Sequence, residues 1–303
     1  MSENLQKPTV LVVGATGFLG TEICHQLVNA GKNVKALVRH SSDPAKVTAL
    51  QRLGAETVEG DLKNTASIIK AIAGVDSVIS TASSTFSRQE GDSIESVDNN
   101  GQLNLVQAAE DGEVKQFIFI SFYPMNQEFP LQNAKRNVEK KLIGSKMKYT
   151  ILQAGFFMEV WLSPAVGFDF AHSKVTIYGE GKNKLNWISL TDVAAIAVAS
   201  LENEAVRNSV IQVGGPEALS PFEVVRIFEK RTGSRFTIEH IPIEALKAQK
   251  SAASDSLSES FAALMLGYAE GDNISLNEAR RAYPFRLTSV ADYAERVPVE
   301  HAI

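Results

Sequence analysis

Residues 10–20 read VLVVGATGFLG and decide the fold. A valine-rich apolar run, typical of a buried strand, breaks directly into Gly14, Gly17 and Gly20. The apolar residues that follow recur at helical spacing. A strand, a glycine turn and a helix in this order are typical of a site for the diphosphate of a dinucleotide, because glycine leaves room for a phosphate that a side chain would block. A fortuitous glycine-rich turn is the alternative.

The residues of this turn have separate expected roles. Gly14 permits the tight turn, Gly17 lets the backbone approach the diphosphate, and Gly20 allows the helix to pack closely on the sheet. At the start of the helix, free N–H groups and the positive end of the helix dipole face an anion. The further cofactor contacts expected there are Thr16, Phe18 and Leu19.

The composition indicates a chain with a sizeable core and no bias toward nucleic acid. Of the 303 residues, 44% are hydrophobic and 21% are charged, which supports a packed core and argues against disorder. The 30 basic and 35 acidic residues give a net charge of −5, so no overall field attracts nucleic acid. The polar start, MSENLQKPT, and the absence of an apolar run of roughly 18 residues predict a cytoplasmic protein with no membrane anchor.

Neither a disulfide nor a metal site is expected. The single cysteine, Cys24, excludes an internal disulfide and is expected to be a small buried hydrophobe rather than a reactive thiol. The histidines lack the spacing of metal ligands: His25, His40, His172, His240 and His301.

Strand and helix patterns alternate through the first half of the chain. The strand candidates are Val10–Val13, Val34–Val38, Glu56–Glu59, Ser77–Thr81, Gln116–Ser121 and Tyr149–Gln153. The helix candidates are Phe18–Asn29, Pro44–Leu53, Thr65–Ile72, Asp98–Glu110 and Leu131–Ile143. This alternation predicts parallel strands joined by right-handed crossovers, and therefore an α/β protein with a doubly wound parallel sheet of the Rossmann type.

After about residue 155, short strands and helices mix without this rhythm. The strand candidates are Lys174–Tyr178, Leu185–Ser189, Val210–Val213 and Arg235–Ile241, and the helix candidates are Asp192–Leu201, Pro221–Thr232, Glu244–Gly267 and Thr288–Glu295. Within the third of these helices, the Ser/Ala-rich stretch Ser251–Ser260 is either a loop or the polar face of a helix that continues to Leu266. We expect residues 1–155 to form the dinucleotide-binding core, with a flexible tail at 1–8. Residues 156–303 are expected to form a smaller α/β substrate lobe, with some segments returning to the core.

The end of the second strand predicts a preference for NADP(H). This strand ends in ALVRHSS, without the acid that NAD-preferring sites use to accept from the ribose 2′-hydroxyl. Arg39 and Ser41 offer instead a guanidinium and a hydroxyl, which suit a 2′-phosphate. An ordinary solvated arginine is the alternative.

The ends of the third and fourth strands supply further candidate contacts. Asp61 and Leu62 follow the third strand, where in this fold an acid lies near the adenine amino group and an apolar residue packs on the ring. A plain N-cap of the next helix is the alternative for Asp61. Thr81 and Ala82, after the fourth strand, are small enough to let the chain run beneath the nicotinamide ribose, although a polar loop would look much the same.

Longer blocks of sequence resemble a known family. AEDGEVKQFIFISF, NAKRNVEKKL, KYTILQAGFFME, WISLTDVAAIAVASL and VGGPEALSPFEVVRIFEKRTG begin at Ala109, Asn133, Lys148, Trp187 and Val213. They are similar to successive blocks of the NmrA-like, isoflavone-reductase-like branch of the atypical short-chain dehydrogenases/reductases. The GxxGxxG spacing of the glycines also resembles that of the extended and atypical members of this superfamily. The likeness spans about residues 8–240. This branch includes reductases, redox-sensing regulators and assembly factors, so the resemblance does not imply a substrate.

The resemblance implies roles for residues of the predicted fifth helix and the strand before it. The family's active-site lysine, which bonds the nicotinamide ribose and can act as acid or base, falls on Lys135, with a solvated helix lysine as the alternative. The tyrosine of typical members lies four residues earlier, where this chain has Leu131, which has no proton to give. Tyr123 is the nearest phenol and a candidate substitute, or else an aromatic that lines a loop. Ser121 is expected to contact the cofactor.

The segment after the sixth strand is expected to lie at the nicotinamide end of the cofactor. In the family it crosses the nicotinamide end of the cofactor, which implies contacts from Gly155 and Phe156. An apolar, aromatic substrate pocket is predicted from Phe157, Met158 and Trp161, with a place in the core as the alternative. Further on, Asp192 is interpreted as a helix N-cap.

Two functions fit these features. The first is an NADP(H)-dependent reductase of a small carbonyl, enone or quinone, and the second is a non-catalytic NADP(H)-binding redox sensor that regulates a protein partner. The missing tyrosine favours the sensor, whereas the long lobe with its aromatic segment favours the reductase. Of the two, we favour the reductase. A monomer or homodimer with a small-molecule substrate, and neither nucleic acid nor membrane as a partner, is expected.

Overall fold

A computed structural model describes residues 7–86, 89–272 and 274–297 of the chain. Residues 1–6 of the predicted flexible tail, and His301, lie outside these ranges. Among the described residues, no helix has both the length and the apolar character needed to cross a membrane.

The strands and helices are as follows. The strands are β1 (Thr9–Val13), β2 (Asn33–Val38), β3 (Glu56–Glu59), β4 (Ser77–Ser80), β5 (Gln116–Phe122), β6 (Lys148–Ala154), β7 (Phe156–Phe157), β8 (Phe168–Asp169), β9 (Lys174–Tyr178), β10 (Leu185–Ile188), β11 (Ser209–Val213), β12 (Ala218–Leu219) and β13 (Thr237–Ile241). The helices are α1 (Phe18–Asn29), α2 (Pro44–Leu53), α3 (Thr65–Ile72), α4 (Gln102–Asp111), α5 (Pro130–Ile143), α6 (Met158–Trp161), α7 (Leu190–Ser200), α8 (Pro221–Thr232), α9 (Ile243–Ser251), α10 (Ser256–Glu270), α11 (Asn277–Ala282) and α12 (Val290–Arg296). A π-helical segment, Ile94–Gly101, leads directly into α4.

The large sheet confirms the predicted doubly wound α/β fold. Its seven strands lie in the order β11-β6-β5-β4-β1-β2-β3, and the pairs that join β3, β2, β1, β4 and β5 are all parallel. Fully buried side chains such as Leu11, Val78 and Phe117 fill the core against this sheet. The strand order reverses between β1 and β4, and in such sheets the crevice at this reversal is the usual ligand site.

Two compact units make up the described chain. The first contains the residues up to Ser121 together with Asn133–Leu152 and Ala194–Ile211. The second contains Phe122–Gln132, Gln153–Val193 and the residues from Gln212 onward. The chain therefore passes between the units several times, and part of the region that the sequence assigned to the substrate lobe belongs to the first unit.

The second unit has its own core and two small sheets. The sheets have the strand orders β12-β10-β7 and β13-β9-β8. Its core is rich in aromatic residues, among them Phe156, Trp187, Phe228 and Tyr268, all of which are buried. Aromatic side chains therefore form a larger part of this core than of the core of the first unit, which consists mainly of aliphatic side chains.

Two of the predicted helices differ from the structure by more than two residues. The single helix predicted over Glu244–Gly267 is wrong, because α9 ends at Ser251 and α10 starts at Ser256. Asp255 caps α10 by accepting hydrogen bonds from the N–H groups of Leu257 and Ser258, both at 2.9 Å. The helix predicted from Asp98 is also wrong at its start, since residues 94–101 have π-helical bonding before α4 begins.

Cys24 lies on α1 and is completely buried, as the sequence predicts for a small hydrophobe. Burial raises the pKa of the Cys24 thiol to about 12. The thiolate, which is the reactive form, is therefore scarce at neutral pH.

The substitution Gly20→Ala tests the close packing at the start of α1. A Cβ at position 20 would lie 2.1 Å from the carbonyl oxygen of Gly14, so the backbone of the turn must move. We expect the free energy of unfolding in urea to fall by about 1–3 kcal/mol, the usual range for overpacking. Gly144→Ala is the control, because its Cβ would come no closer than 3.5 Å to another atom. Equal stability of the two variants would contradict this account.

Candidate cofactor and active site

The β1–α1 turn is built so that only glycine fits. Gly14 has a φ of +88°, and a Cβ there would lie 2.7 Å from Thr81 Oγ1 and 2.8 Å from the Ala82 nitrogen. The turn is closed by a hydrogen bond of 3.0 Å from the Gly17 N–H to the Gly14 carbonyl. The structure thus brings the predicted glycines together with Thr81 and Ala82 at the carboxyl ends of β1 and β4.

The start of α1 leaves its backbone donors available. Gly17 is the N-cap, no side chain caps the helix, and its first turn carries no acidic residue. Phe18 is 77% exposed, whereas Leu19 is buried. Uncapped N–H groups at the positive end of a helix are suited to an anion. The residues present therefore fit the diphosphate of a dinucleotide.

Lys46 on α2 is a cation at this turn that sequence reasoning missed. Its Nζ donates to the carbonyl oxygen of Thr16 over 3.3 Å. The same Nζ lies 5.8 Å from the centre of the Phe18 ring. Nothing in the local sequence distinguishes Lys46 from other surface lysines, because its position depends on the crossover between β2 and β3.

Arg39 follows β2 and is engaged by a buried carboxylate. Its Nη1 donates to Asp92 Oδ2 over 2.6 Å, and Lys63 Nζ donates to Asp92 Oδ1 over 2.5 Å. Burial alone would raise the pKa of the Asp92 carboxyl, but the bonds from Lys63, Arg39 and the Gln89 N–H hold it below its usual value. Arg39 is therefore a paired residue rather than a simply solvated one. Ser41 also contacts this region, since its Oγ donates to Gln89 Oε1.

Asp61 and Leu62 take the positions expected after β3. Leu62 is buried, and Asp61 Oδ1 accepts a hydrogen bond of 2.8 Å from the N–H of Lys63. The alternative interpretation of Asp61 as the N-cap of the next helix is wrong. The N-cap of α3 is Asn64, whose side chain accepts from the Ser67 N–H.

Gln102, which is fully buried, fixes the end of β4. Its Nε2 donates to the carbonyl oxygen of Ala82 over 2.9 Å, and its Oε1 accepts from Ser80 Oγ over 2.8 Å. The small residues of this segment are therefore held by hydrogen bonds from the first turn of α4. Sequence reasoning missed Gln102, because glutamines in helices are usually exposed.

Lys135 is a buried cation on α5. Its side chain is 7% exposed, and its Nζ lies 4.0 Å from Asp98 Oδ1. The Nζ also lies 3.5 Å from the carbonyl oxygen of Ile120 and 4.9 Å from the centre of the Phe119 ring. Desolvation lowers the pKa of Lys135, and the Asp98 and Glu139 carboxylates oppose that shift. The alternative of a solvated helix lysine is therefore wrong.

Ser121 lies near the end of β5 and is also buried. Its Oγ accepts a hydrogen bond of 3.0 Å from Arg136 Nη2. Arg136 in turn forms an ion pair of 3.0 Å with Glu139. Arg136 and Glu139, which lie on the same helix as Lys135, thus place charged groups near Ser121.

In the second unit, Tyr123 is the first residue after β5 and lies inside the aromatic core. Its ring centre is 5.8 Å from that of Phe156, and its hydroxyl has no hydrogen-bond partner among the described residues. Burial raises the pKa of Tyr123, and the Asp272 and Glu270 carboxylates raise it further. Leu131 is buried as well, and its N–H donates to Ser260 Oγ over 3.1 Å.

The segment after β6 is held close to β10. A Cβ on Gly155 would lie 2.3 Å from the carbonyl oxygen of Asn186. Phe156 and Met158 are buried, whereas Phe157 and Trp161 are half-buried. Met158 therefore packs in the core of this unit.

The prediction that Asp192 is a helix N-cap is wrong. Asp192 lies inside α7, and its carboxylate accepts hydrogen bonds from the Thr288 N–H at 2.7 Å and from Thr288 Oγ1 at 3.2 Å. Ser189, the residue before α7, takes the capping role instead, because its Oγ accepts from the N–H of Thr191 over 3.1 Å. Glu159 Oε2 accepts from the N–H of Leu190 over 2.9 Å. The partner of Asp192 is distant in sequence, which explains the error.

Glu159 also borders a cavity of about 480 Å³ in the second unit. This volume lies in the range of small-molecule sites. Its lining includes Phe170, Thr191, Tyr293 and Arg296, but not Phe157, Met158 or Trp161. No cluster of three metal-binding side chains occurs within the described ranges.

The chain belongs to the NmrA-like family, whose model matches residues 6–294. This finding confirms the resemblance inferred from the sequence. One relative is the photosystem II assembly factor Ycf39 of Synechocystis, which is 31% identical over 80% of this chain and 73% of its own length. A second is an NAD(P)H azoreductase of Xenophilus azovorans, which is 30% identical over 84% of each chain.

The fold also matches solved structures. An NADPH-dependent quinone oxidoreductase of Escherichia coli, solved in complex with NADPH, superimposes with a TM-score of 0.76. The match covers 94% of this chain and 98% of that one, at 23% identity. At this identity the match establishes the fold alone.

Proposed function

We propose that this chain binds NADP(H) and reduces a small carbonyl, enone or quinone. The observation that carries the proposal is the β1–α1 turn, where Gly14, Gly17 and Gly20 leave only backbone to face a ligand. Membership of the NmrA-like family and the similarity to an azoreductase support reduction as the reaction class.

The proposed contacts divide along the cofactor. The diphosphate is assigned to the turn and the start of α1, and the 2′-phosphate to Arg39 and Ser41. Asp61 and Leu62 are assigned to the adenine. The nicotinamide half is assigned to Thr81, Ala82, Ser121, Lys135, Gly155 and Phe156, and the substrate to Phe157, Met158 and Trp161.

Lys135 is the proposed polar centre of catalysis. Bound NADPH supplies the hydride. The Lys135 ammonium would donate hydrogen bonds to ribose hydroxyls and place positive charge beside the developing oxyanion. Because desolvation lowers the pKa of Lys135, its ammonium is a stronger acid than that of an exposed lysine.

Tyr123 and water are the other candidate proton donors. Burial raises the pKa of Tyr123, so its phenol stays protonated and releases its proton less readily. Its hydroxyl is buried and has no hydrogen-bond partner among the described residues. We therefore assign proton transfer to Lys135, and to Tyr123 a hydrogen bond to the substrate oxygen.

A non-catalytic role is the second candidate function. Leu131 occupies the position of the usual catalytic tyrosine, and the relatives include a protein named as an assembly factor. In this case NADP(H) would act as a redox signal that changes the affinity for a protein partner.

The cytoplasmic location, and the monomeric or homodimeric state, also remain predictions.

The two functions can be separated by a substrate panel. If the chain is a reductase, quinones, enones and aldehydes should include a compound that gives NADPH oxidation saturable in that compound. If it is a sensor, turnover should be absent, while NADP⁺ and NADPH differ in affinity or in the amides that they protect from hydrogen exchange. Absence of both turnover and any difference between the two redox forms would contradict both functions.

Replacing Arg39 by Ala tests the 2′-phosphate assignment. We expect NADPH binding to weaken by about 1.5–3 kcal/mol, the scale of a charge-assisted hydrogen bond, while NADH binding stays nearly unchanged. Calorimetric titration of both cofactors measures the effect. Because Arg39 also pairs with Asp92, the thermal midpoint of the variant must be checked first. An equal loss for both cofactors would contradict the assignment.

Replacing Lys135 by Ala tests the catalytic assignment. We expect turnover with an active compound from the panel to fall by about 100-fold or more, as for the loss of an acid/base or oxyanion partner. Cofactor affinity should fall less, because the phosphate contacts remain. Tyr123→Phe is the control. Loss of activity in Tyr123→Phe together with near-normal activity in Lys135→Ala would place the proton donor on the tyrosine.

A further inference from the structure

The π-helical segment Ile94–Gly101 places one carboxylate in the interior of the first unit. π-Helical turns are rare and occur frequently at functional sites. Asp98 lies on this segment and is completely buried. The segment is fixed at its start by Ser93, whose side chain accepts a hydrogen bond of 3.0 Å from the Ser96 N–H. Neither the resemblance nor the sequence pattern assigns a role to Asp98.

One oxygen of Asp98 is anchored and the other is not. Oδ2 accepts hydrogen bonds from the Ser84 N–H at 2.9 Å and from Ser84 Oγ at 2.7 Å. Oδ1 has no hydrogen-bond partner among the described residues. A buried carboxylate oxygen without a donor is costly unless a nearby charge compensates it. The Lys135 ammonium lies 4.0 Å from Oδ1 and is such a charge.

The other groups that face Lys135 do not balance its charge as directly. On β5 it faces the Phe119 ring and the Ile120 carbonyl. On its own helix, the Glu139 carboxylate stabilises the ammonium and the Arg136 guanidinium opposes it. Arg136 and Glu139 form an ion pair of 3.0 Å with each other. Asp98 is therefore the principal counter-charge of Lys135 from outside α5.

The geometry differs from that of a closed structural ion pair. A direct bond between ammonium and carboxylate is about 2.7–2.9 Å long, whereas Nζ and Oδ1 are 4.0 Å apart. Ser84 holds the carboxylate in place, so Asp98 acts on Lys135 through its charge while leaving ammonium N–H groups for other acceptors. A side chain that only stabilised the fold would not need to leave these groups available.

We propose that Asp98 is a positioning residue that holds the Lys135 ammonium charged and in place for the cofactor. The inference rests on the proposed role of Lys135 in NADP(H) binding, and it adds the residue that makes a buried lysine usable there. It applies to the reductase and to the sensor alike, since both bind the cofactor.

The test is the pH dependence of NADPH affinity, measured by titration between pH 7 and pH 10 in Asp98→Asn. This variant keeps the side-chain volume but removes the charge, so Lys135 should lose its proton at lower pH. An opposite charge at this distance shifts a pKa by about 1–3. We therefore expect the loss of affinity with rising pH to begin at least about one unit lower than in the parent protein. Superimposable profiles would overturn the proposal.

Asp76→Asn is the matched control. Asp76 also pairs with a lysine, Lys115, over 2.6 Å and accepts a hydrogen bond from a backbone N–H, that of Thr9. It has no assigned role at the cofactor site. The pH profile of this variant should match that of the parent protein, and a shift equal to that of Asp98→Asn would show a general effect of lost charge and overturn the proposal.

Two further variants separate the possible failures. In a Lys135→Met background, Asp98→Asn should add no further change to the pH profile, because Asp98 acts through the lysine; a further shift would overturn the proposal. If Lys135→Met itself leaves NADPH affinity unchanged at every pH, the proposed role of Lys135 fails, and the inference fails with it for that distinct reason.

Should Asp98→Asn not fold, Ser84→Ala keeps both charges and removes one anchor of Asp98. It should shift the profile in the same direction by a smaller amount, and an unchanged profile would count against the proposal.

Discussion

The close approach of the Gly14 carbonyl oxygen to the backbone of Gly20 is the contact on which the rest of the structure depends. A Cβ at position 20 would lie 2.1 Å from that oxygen, so α1 can start directly behind β1 only if no side chain intervenes. The same turn packs against Thr81 and Ala82 at the end of β4. One packing constraint thus fixes the first crossover and exposes the uncapped start of α1 at the carboxyl ends of two central strands.

Local signals in the sequence are sufficient for the first three helices of the chain. The helices Phe18–Asn29, Pro44–Leu53 and Thr65–Ile72 have the predicted bounds, because apolar periodicity and turn residues agree there. The long helix predicted over Glu244–Gly267 fails because periodicity continues across a break that the Asp255 side chain creates. The π-helical segment was also missed, since its apolar spacing is close to that of an α-helix.

The candidate site is less predictable, because its polar partners come from distant parts of the chain. Arg39 was identified from its position after β2, but its partner Asp92 lies 53 residues away. The local sequence around Asp192 predicts a cap, but its partner Thr288 lies 96 residues away and local signals do not reveal it. Burial of Lys135 also depends on tertiary packing, since lysine is almost never fully buried without a partner. Buried groups whose hydrogen bonds are incomplete depart from the rules that stabilise the core, and such departures are expected at functional sites.

A crystal structure of the complex with NADP⁺ tests the central claim most directly. The account predicts diphosphate oxygens within hydrogen-bonding distance of the backbone N–H groups at the start of α1, a 2′-phosphate beside Arg39 and ribose hydroxyls beside Lys135. A cofactor bound elsewhere, or bound at the turn with its nicotinamide ribose away from Lys135, would contradict it.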